Sequence, residues 1–115
     1  MILNRMVEQN FEPDKIFRAL GDPTRLLIVQ ELGRRDQSVS DLAEPLEMTL
    51  AGVSKHIGVL EQAGLVTREK RGRERVCRLR PDGLGAAARW VEKYSAFWNH
   101  RLDALDQAIK EDGDG

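Results

Sequence analysis

Cysteine is nearly absent from this chain of 115 residues, in which Cys77 is the only one. A single thiol excludes an intramolecular disulfide and a redox switch between two cysteines of one chain. The sequence has no signal peptide and no apolar run long enough to span a membrane, so we expect a cytoplasmic protein with no membrane contact. The length suits one domain, residues 1–115, that folds without a disulfide or a structural metal.

Aromatic residues are also scarce, with six in the whole chain. None of them lies between residues 18 and 89, so the central part of the chain must fill its core with aliphatic side chains. The aromatic area falls in the two flanking segments, and such area is common at protein interfaces. The six residues are Phe11, Phe17, Trp90, Tyr94, Phe97 and Trp98.

The chain also has no excess of positive charge, because it contains 18 basic and 19 acidic residues and its net charge is −1. The net charge therefore does not mark the chain as a nucleic-acid-binding protein. Its distribution is more informative, since residues 68–80 contain seven basic and two acidic side chains. This segment predicts a local basic surface, whereas the C-terminal tail is acidic.

One amphipathic helix is predicted over residues 49–63. Thr49 is a good N-cap residue, and Gly64 stands where a left-handed glycine ends a helix. A narrow apolar stripe on this helix consists of Val53, Ile57 and Leu60. The opposite face is small and polar, which suits close approach to another surface. The alternative is an ordinary amphipathic helix that Gly52 and Gly58 each weaken by roughly 1 kcal/mol.

The preceding segment favours a helix-turn-helix. Residues 40–47 predict a shorter helix, and a tight turn at Glu47 and Met48 separates it from Thr49. Two helices with so short a connection form a helix-turn-helix, here residues 40–63, whose second helix lies in the major groove of DNA. An earlier helix, capped by Asp22 and running to Gly33, has the structural role of packing under this motif.

A β-hairpin is predicted directly after the motif, over residues 65–80 with a turn at Gly72. Following a helix-turn-helix, this basic hairpin is expected to be a wing that reaches the flanking phosphates or the minor groove. Ser38 and Val39 are expected to add a short strand to it. The predicted fold is therefore mainly α with a small β-hairpin wing, a winged helix-turn-helix with long N- and C-terminal helices.

The two terminal helices, residues 11–20 and 84–109, are predicted to form a symmetric homodimer. Apolar residues recur along the second of them at intervals of three and four, which gives one continuous apolar face. The alternative is that this helix folds back and enlarges a monomeric core. The predicted interface residues are Phe11, Ile16, Phe17, Leu20, Trp90, Tyr94, Phe97, Trp98, Leu102 and Leu105.

Four segments together resemble the ArsR family of bacterial winged-helix repressors. They are Phe17-Arg18-Ala19-Leu20-Gly21-Asp22-Pro23-Thr24-Arg25, Ser40-Asp41-Leu42-Ala43, Val53-Ser54-Lys55-His56-Ile57 and Leu60-Glu61-Gln62-Ala63-Gly64-Leu65-Val66. The resemblance covers about residues 11 to 110. It implies a homodimer that binds a pseudo-palindromic operator in double-stranded DNA and releases it when an effector arrives.

The resemblance also implies which residues meet DNA. In the helix these are Thr49, Leu50, Ala51, Ser54, Lys55 and His56, and in the basic wing we add Arg68, Lys70, Arg71, Arg73 and Arg75. Lys55 is expected on a base edge or a phosphate, Ser54 and Thr49 on phosphates, and Ala51 on a thymine methyl. For His56, phosphate contact and half-buried packing are both open. Leu50 stands where many family members carry a polar residue.

Metal sensing and catalysis find little support. Metal-sensing relatives carry cysteines before the recognition helix, where this chain has none. His100 and Asp103 resemble one end of a second metal pattern, but Ala87 and Arg89 occupy its other end. We therefore expect no metal, no cofactor and no enzyme activity. Cys77 shares strand parity with Leu79 and is expected to be a small buried filler.

Two other functions stay open from the sequence. A winged helix also serves as a protein-interaction module, although the arginine density of the wing suits phosphates better. The second is a repressor with a pocket for an unknown small-molecule effector between the terminal helices, lined by Trp90, Tyr94, Phe97 and Trp98.

Overall fold

The computed structural model describes residues 11–114, without the side chains of residues 112–114. Residues 1–10 and Gly115, which fall within the predicted single domain, lie outside the described residues. The elements are α1 (Pro13–Leu20), α2 (Pro23–Arg34), β1 (Gln37–Ser38), α3 (Val39–Leu46), α4 (Leu50–Gln62), β2 (Val66–Arg71), β3 (Glu74–Leu79) and α5 (Pro81–Asp114).

The predicted fold class is confirmed, because the chain is mostly helical with a small antiparallel sheet. The strand order is β1-β3-β2, so β3 pairs with both of the others. The short first strand lies one residue earlier than expected, at Gln37–Ser38. The reason is a helix cap: the Ser38 hydroxyl accepts the backbone N–H of Asp41, which makes Val39 the first residue of α3.

The core is aliphatic, as the distribution of aromatic residues predicts. Its largest fully buried side chains include Ile16, Ile28, Ile57 and Leu60. Cys77 is fully buried among them, and this burial raises the pKa of its thiol to about 11. The thiol therefore stays protonated at neutral pH, which fits the predicted role of a filler. Leu26 and Leu27 remain exposed on the outer side of α2.

A left-handed residue makes the tight turn between α3 and α4. Glu47 ends α3 with φ of 53°, and its N–H bonds back to the helix carbonyls of Ala43 and Glu44. Thr49 then caps α4, because its hydroxyl oxygen accepts the backbone N–H of Gly52 at 3.0 Å. Three residues, Glu47 to Thr49, therefore connect the two helices of the motif.

Helix α5 begins at Pro81 and not near Leu84, because proline suits the first position of a helix. All residues from 88 to 111 are exposed, so this part of α5 projects from the body of the protomer. The radius of gyration is accordingly 19.3 Å, against about 13 Å for a compact domain of this size. No helix in the described part of the chain is long and apolar enough to cross a membrane.

The start of α5 is packed tightly against the chain that follows α4. The N–H of Arg80 donates to the carbonyl of Leu65 at 2.8 Å. Gly64, with φ of 81°, ends the α4 region in the left-handed conformation that favours glycine. A Cβ atom on Gly83 would overlap the carbonyl group of Gly64. Glycine at position 83 is therefore required for the two backbones to meet.

We expect Gly83→Ala to lower the free energy of unfolding by about 1–3 kcal/mol, because the new methyl group must push two backbones apart. Urea denaturation at a fixed protein concentration measures the change. Gly85→Ala is the matched control in the same helix. Its Cβ would meet only the flexible end of Arg89, so helix propensity should raise stability by about 0.5–1 kcal/mol. Equal changes in the free energy of unfolding for the two substitutions would contradict the close backbone contact at Gly83.

Candidate nucleic-acid interface

Helix α4 buries one face and exposes the other. The predicted stripe of Val53, Ile57 and Leu60 is fully buried. On the opposite face Ala51 and Lys55 are exposed, and Leu50 keeps 56% of its surface open to solvent. An exposed leucine at the start of a helix offers an apolar contact of the kind that thymine methyl groups accept.

Four exposed cations of the wing lie around its tip. Gly72, with φ of 62°, is the first of the two residues that connect β2 to β3, as a type II′ hairpin turn requires. The exposed basic residues around this turn are Lys70, Arg71, Arg73 and Arg75. Lys70 and Arg75 are direct cross-strand partners. Two like charges placed opposite each other repel, so this pair favours a bound anion.

One cleft joins these two surfaces. It has a volume of about 360 Å³ and lies between the start of α3, the outer face of α4 and the wing. The cleft brings together five residues of the predicted DNA contact set: Leu50, Ala51, Ser54, Arg73 and Arg75.

Arg68 lies apart from the other wing cations. Its Nη1 donates to the Ser54 hydroxyl at 2.6 Å and its Nη2 to Glu61 Oε1 at 2.7 Å, and 14% of its side chain is exposed. Arg68 therefore ties the wing to α4 from inside the protomer, which corrects its predicted position beside DNA. Strand alternation is the signal for this, because Arg68 shares a sheet face with the buried Val66 and lies opposite Cys77.

His56 lies on the other flank of α4 and contacts the start of α2. Its Nδ1 is 3.1 Å from Arg25 Nη1 and 3.9 Å from Asp22 Oδ2. The backbone N–H of Arg25, which Asp22 accepts as the cap of α2, lowers the pKa of the Asp22 carboxyl, and the positive charge of Arg25 lowers it further. No local sequence pattern marks Arg25 as a partner of His56, because their contact spans 31 residues.

An aromatic surface runs from α1 along α5. The ring centroids of Phe17 and Trp90 are 5.3 Å apart, and those of Trp90 and Tyr94 are 4.4 Å apart. Farther along, Phe97 and Trp98 pack edge to face. The other members of this exposed face are Leu102, Leu105 and Ile109. Exposed apolar area of this extent marks a site of association.

Three residues of the predicted dimer interface lie closer to the protomer's own core. Ile16 is fully buried there, so it offers no surface to a partner, and its predicted interface role is wrong. Leu20 is partly buried against the same core. Phe11 packs against the core too and stands beneath the guanidinium of Arg80, 5.4 Å from the ring centroid.

The alternative ligand pocket is only partly formed. A cavity of about 320 Å³ lies between the start of α1 and α5, with Phe11, Arg89, Trp90 and Lys93 in its wall. Of the four aromatic residues predicted to line such a pocket, Trp90 does so here, while Phe97 and Trp98 are more than half exposed. Among the side chains of residues 11–111, no group of three or more His, Cys, Asp or Glu is placed to hold a metal.

Comparisons with known proteins agree with this geometry. A family model described as a helix-turn-helix domain matches residues 20–69. The HTH-type transcriptional regulator Rv2034 of Mycobacterium tuberculosis is 36% identical over 102 residues, which is 89% of this chain and 92% of that protein. An ArsR-like transcriptional regulator from Rhodococcus sp. RHA1 superimposes with a TM-score of 0.71 at 38% identity, over 90% of this chain and 94% of that one. The transcriptional repressor SmtB of Mycobacterium tuberculosis is 38% identical over 65 residues, 56% of this chain and 48% of that protein.

Proposed function

The chain belongs to the ArsR family of winged helix-turn-helix transcriptional regulators, and we propose that it acts as a homodimeric repressor on a pseudo-palindromic operator. It is a DNA-binding regulator and not an enzyme. We propose the homodimer, the operator symmetry, the sign of regulation and the individual contact residues. As a regulator of transcription it would work in the cytoplasm, where bacterial DNA lies.

The cleft between α4 and the wing is the observation that carries the proposal. On the side of α4 it is lined by Leu50, Ala51 and Ser54, and on the wing side two arginines, Arg73 and Arg75, flank one glutamate, Glu74. A helix with an outer face of Ala51 and Lys55 can lie close to base edges, while the wing cations reach the flanking phosphates. An interaction module would instead present an exposed apolar patch at the wing.

The contacts we propose differ along α4. Lys55, exposed at the centre of the outer face, meets a base edge or a phosphate, and Ala51 and Leu50 meet thymine methyl groups. Thr49 and Ser54 already accept hydrogen bonds within the protomer, and each can still donate its O–H to a phosphate oxygen. Arg68 acts by holding Ser54 in place.

The projecting part of α5 supports the homodimer. A helix that touches little of its own protomer is marginally stable in water, so its exposed aromatic face needs a partner. A second copy supplies an identical face through two-fold symmetry. Such a dimer would present two α4 helices to successive major grooves, about 34–36 Å apart.

Fluorescence anisotropy with two labelled duplexes, the DNA upstream of the gene and a scrambled version, tests the proposal across a salt series. We expect tight binding to the upstream duplex, a weaker complex with the scrambled one, and a strong loss of affinity with salt. Failure to bind either duplex at low salt would favour the protein-interaction module. Loss of DNA binding on addition of a chelator would instead support His100 and Asp103 as metal ligands.

Lys55→Ala should weaken binding to the upstream duplex about 10-fold and to the scrambled duplex much less, because base contacts discriminate between sequences and phosphate contacts do not. Lys110→Ala is the matched control, since Lys110 is exposed on α5 and pairs with Asp106. It should leave both affinities unchanged. Equal losses on the two duplexes would rule out a base-reading role for Lys55.

A further inference from the structure

The guanidinium of Arg25 is fixed by three acceptors. Its Nε donates to the Ala19 carbonyl at 2.6 Å, its Nη2 to the Arg18 carbonyl at 3.4 Å, and its Nη1 lies 3.1 Å from His56 Nδ1. Arginine has only donors and stays protonated in proteins. His56 Nδ1 is therefore the acceptor, which makes the ring neutral with its proton on Nε2.

The second ring nitrogen of His56 belongs to a partly exposed side chain. In the described residues no hydrogen bond is made to Nε2, and none of their buried side-chain nitrogen or oxygen atoms lacks a partner. His56 Nε2 must therefore be accessible, in keeping with a side chain that is 24% exposed. It lies on α4 next to Lys55, at the surface that the proposed function places against DNA.

We propose that Arg25 is a positioning residue for DNA binding: it holds the neutral Nε2–H form of His56, so that the ring presents an N–H donor to a DNA phosphate. This inference rests on the proposed function for the placement of α4. Arg25 itself does not contact DNA, because its guanidinium donates hydrogen bonds to the carbonyls at the end of α1.

Asp22 acts on the same nitrogen in the opposite sense. Its carboxylate favours a proton on His56 Nδ1, but at 3.9 Å it is beyond hydrogen-bond distance, whereas Arg25 is within it. The carbonyls of Arg18 and Ala19, at the end of α1, accept hydrogen bonds from Arg25. Removal of the Arg25 donor leaves Asp22 as the charged neighbour of Nδ1, so the proton should move to Nδ1 or be held on both nitrogens.

The ring form is measurable without DNA. In ¹⁵N-labelled full-length protein at mildly alkaline pH, a long-range ¹H–¹⁵N correlation spectrum distinguishes the two neutral forms of His56. We expect the Nε2–H form in the wild type and a shift toward Nδ1–H in Arg25→Met, which keeps the length of the side chain but has no donor. An Nδ1–H ring in the wild type would overturn the inference.

Operator affinity then shows whether the ring form matters. Arg25→Met should weaken operator binding about 10- to 100-fold, the effect expected for one hydrogen bond to a charged group. His56→Gln supplies the decisive background, because a glutamine amide donates an N–H from nearly the position of Nε2 regardless of Arg25. In the His56→Gln variant, Arg25→Met should cause no further loss of operator affinity.

A merely structural role of Arg25 would lower affinity equally in both backgrounds and would refute the inference. Unchanged affinity of Arg25→Met in the wild-type background would refute it as well. If the wild type itself binds neither duplex, the proposed function fails instead, so the two failures are distinguishable.

Discussion

Replacing Trp98 and Leu105 by glutamate should convert the dimer into a monomer and weaken operator binding at least about 10³-fold, because a monomer engages one half-site where a dimer engages two. Both side chains lie on the exposed aromatic face of α5, and 57% and 59% of their surfaces are exposed in the protomer. The protomer therefore loses little packing through these changes.

The size of the effect follows from two-fold symmetry. Burial of a large apolar side chain contributes about 1.5–3 kcal/mol, and each substitution removes two such side chains from the interface. Four glutamate carboxylates would also have to lose their water in the same place, and unpaired buried charges are costly. Together, the lost apolar burial and the desolvation of the carboxylates exceed the free energy of association of a dimer of moderate affinity.

Sedimentation equilibrium gives the oligomeric state, and anisotropy on the upstream duplex gives the affinity. The matched control is Ala96→Glu with Gln107→Glu, which adds the same charge to the opposite, polar face of α5. The control should remain a dimer with wild-type affinity. A dimer that persists in the Trp98/Leu105 variant would place the interface elsewhere, and a monomer with undiminished affinity would contradict binding to two half-sites.

Local sequence determines most of this fold, which is why α4 and the wing were predictable. The cap at Thr49, the glycine at position 64 and the apolar spacing between them all lie within one short stretch, and Gly72 specifies the hairpin turn. Pro81 shows the limit of such signals, since proline both ends a strand and begins a helix. Its position at the start of α5 depends on the close contact of Gly83 with Gly64.

The side-chain network of the candidate site was less predictable, because it depends on how distant elements cross. In composition, Arg68 is one more cation of a basic segment, and only strand alternation separates it from the others. Only the packing of the sheet on α4 brings it to Ser54 and Glu61. The contact between Arg25 and His56 requires α2 to cross α4 at one particular place. Composition and periodicity contain no information about that crossing.

Reversing the charge of Arg71 and Arg73 should weaken binding to the upstream and scrambled duplexes alike, by about 100-fold at low salt. Both residues are exposed at the tip of the wing. Arg71 pairs with Glu69, at 3.3 Å and in an exposed position, and such a pair contributes little to stability. Neither substitution should therefore affect folding, while each lost phosphate contact should lower the salt slope by about one.

The matched control is the reversal of Arg34 and Arg35, which changes the net charge by the same amount. These residues precede β1, whose pairing of Gln37 with Cys77 places them beyond the end of the sheet that is far from the wing tip. The control should keep nearly wild-type affinity and an unchanged salt slope. Equal losses in both variants would mean that overall charge governs binding, and an unchanged slope in the Arg71/Arg73 variant would remove the wing from the set of phosphate contacts. A loss confined to that variant would instead assign the electrostatic part of DNA binding to the wing, leaving sequence discrimination to α4.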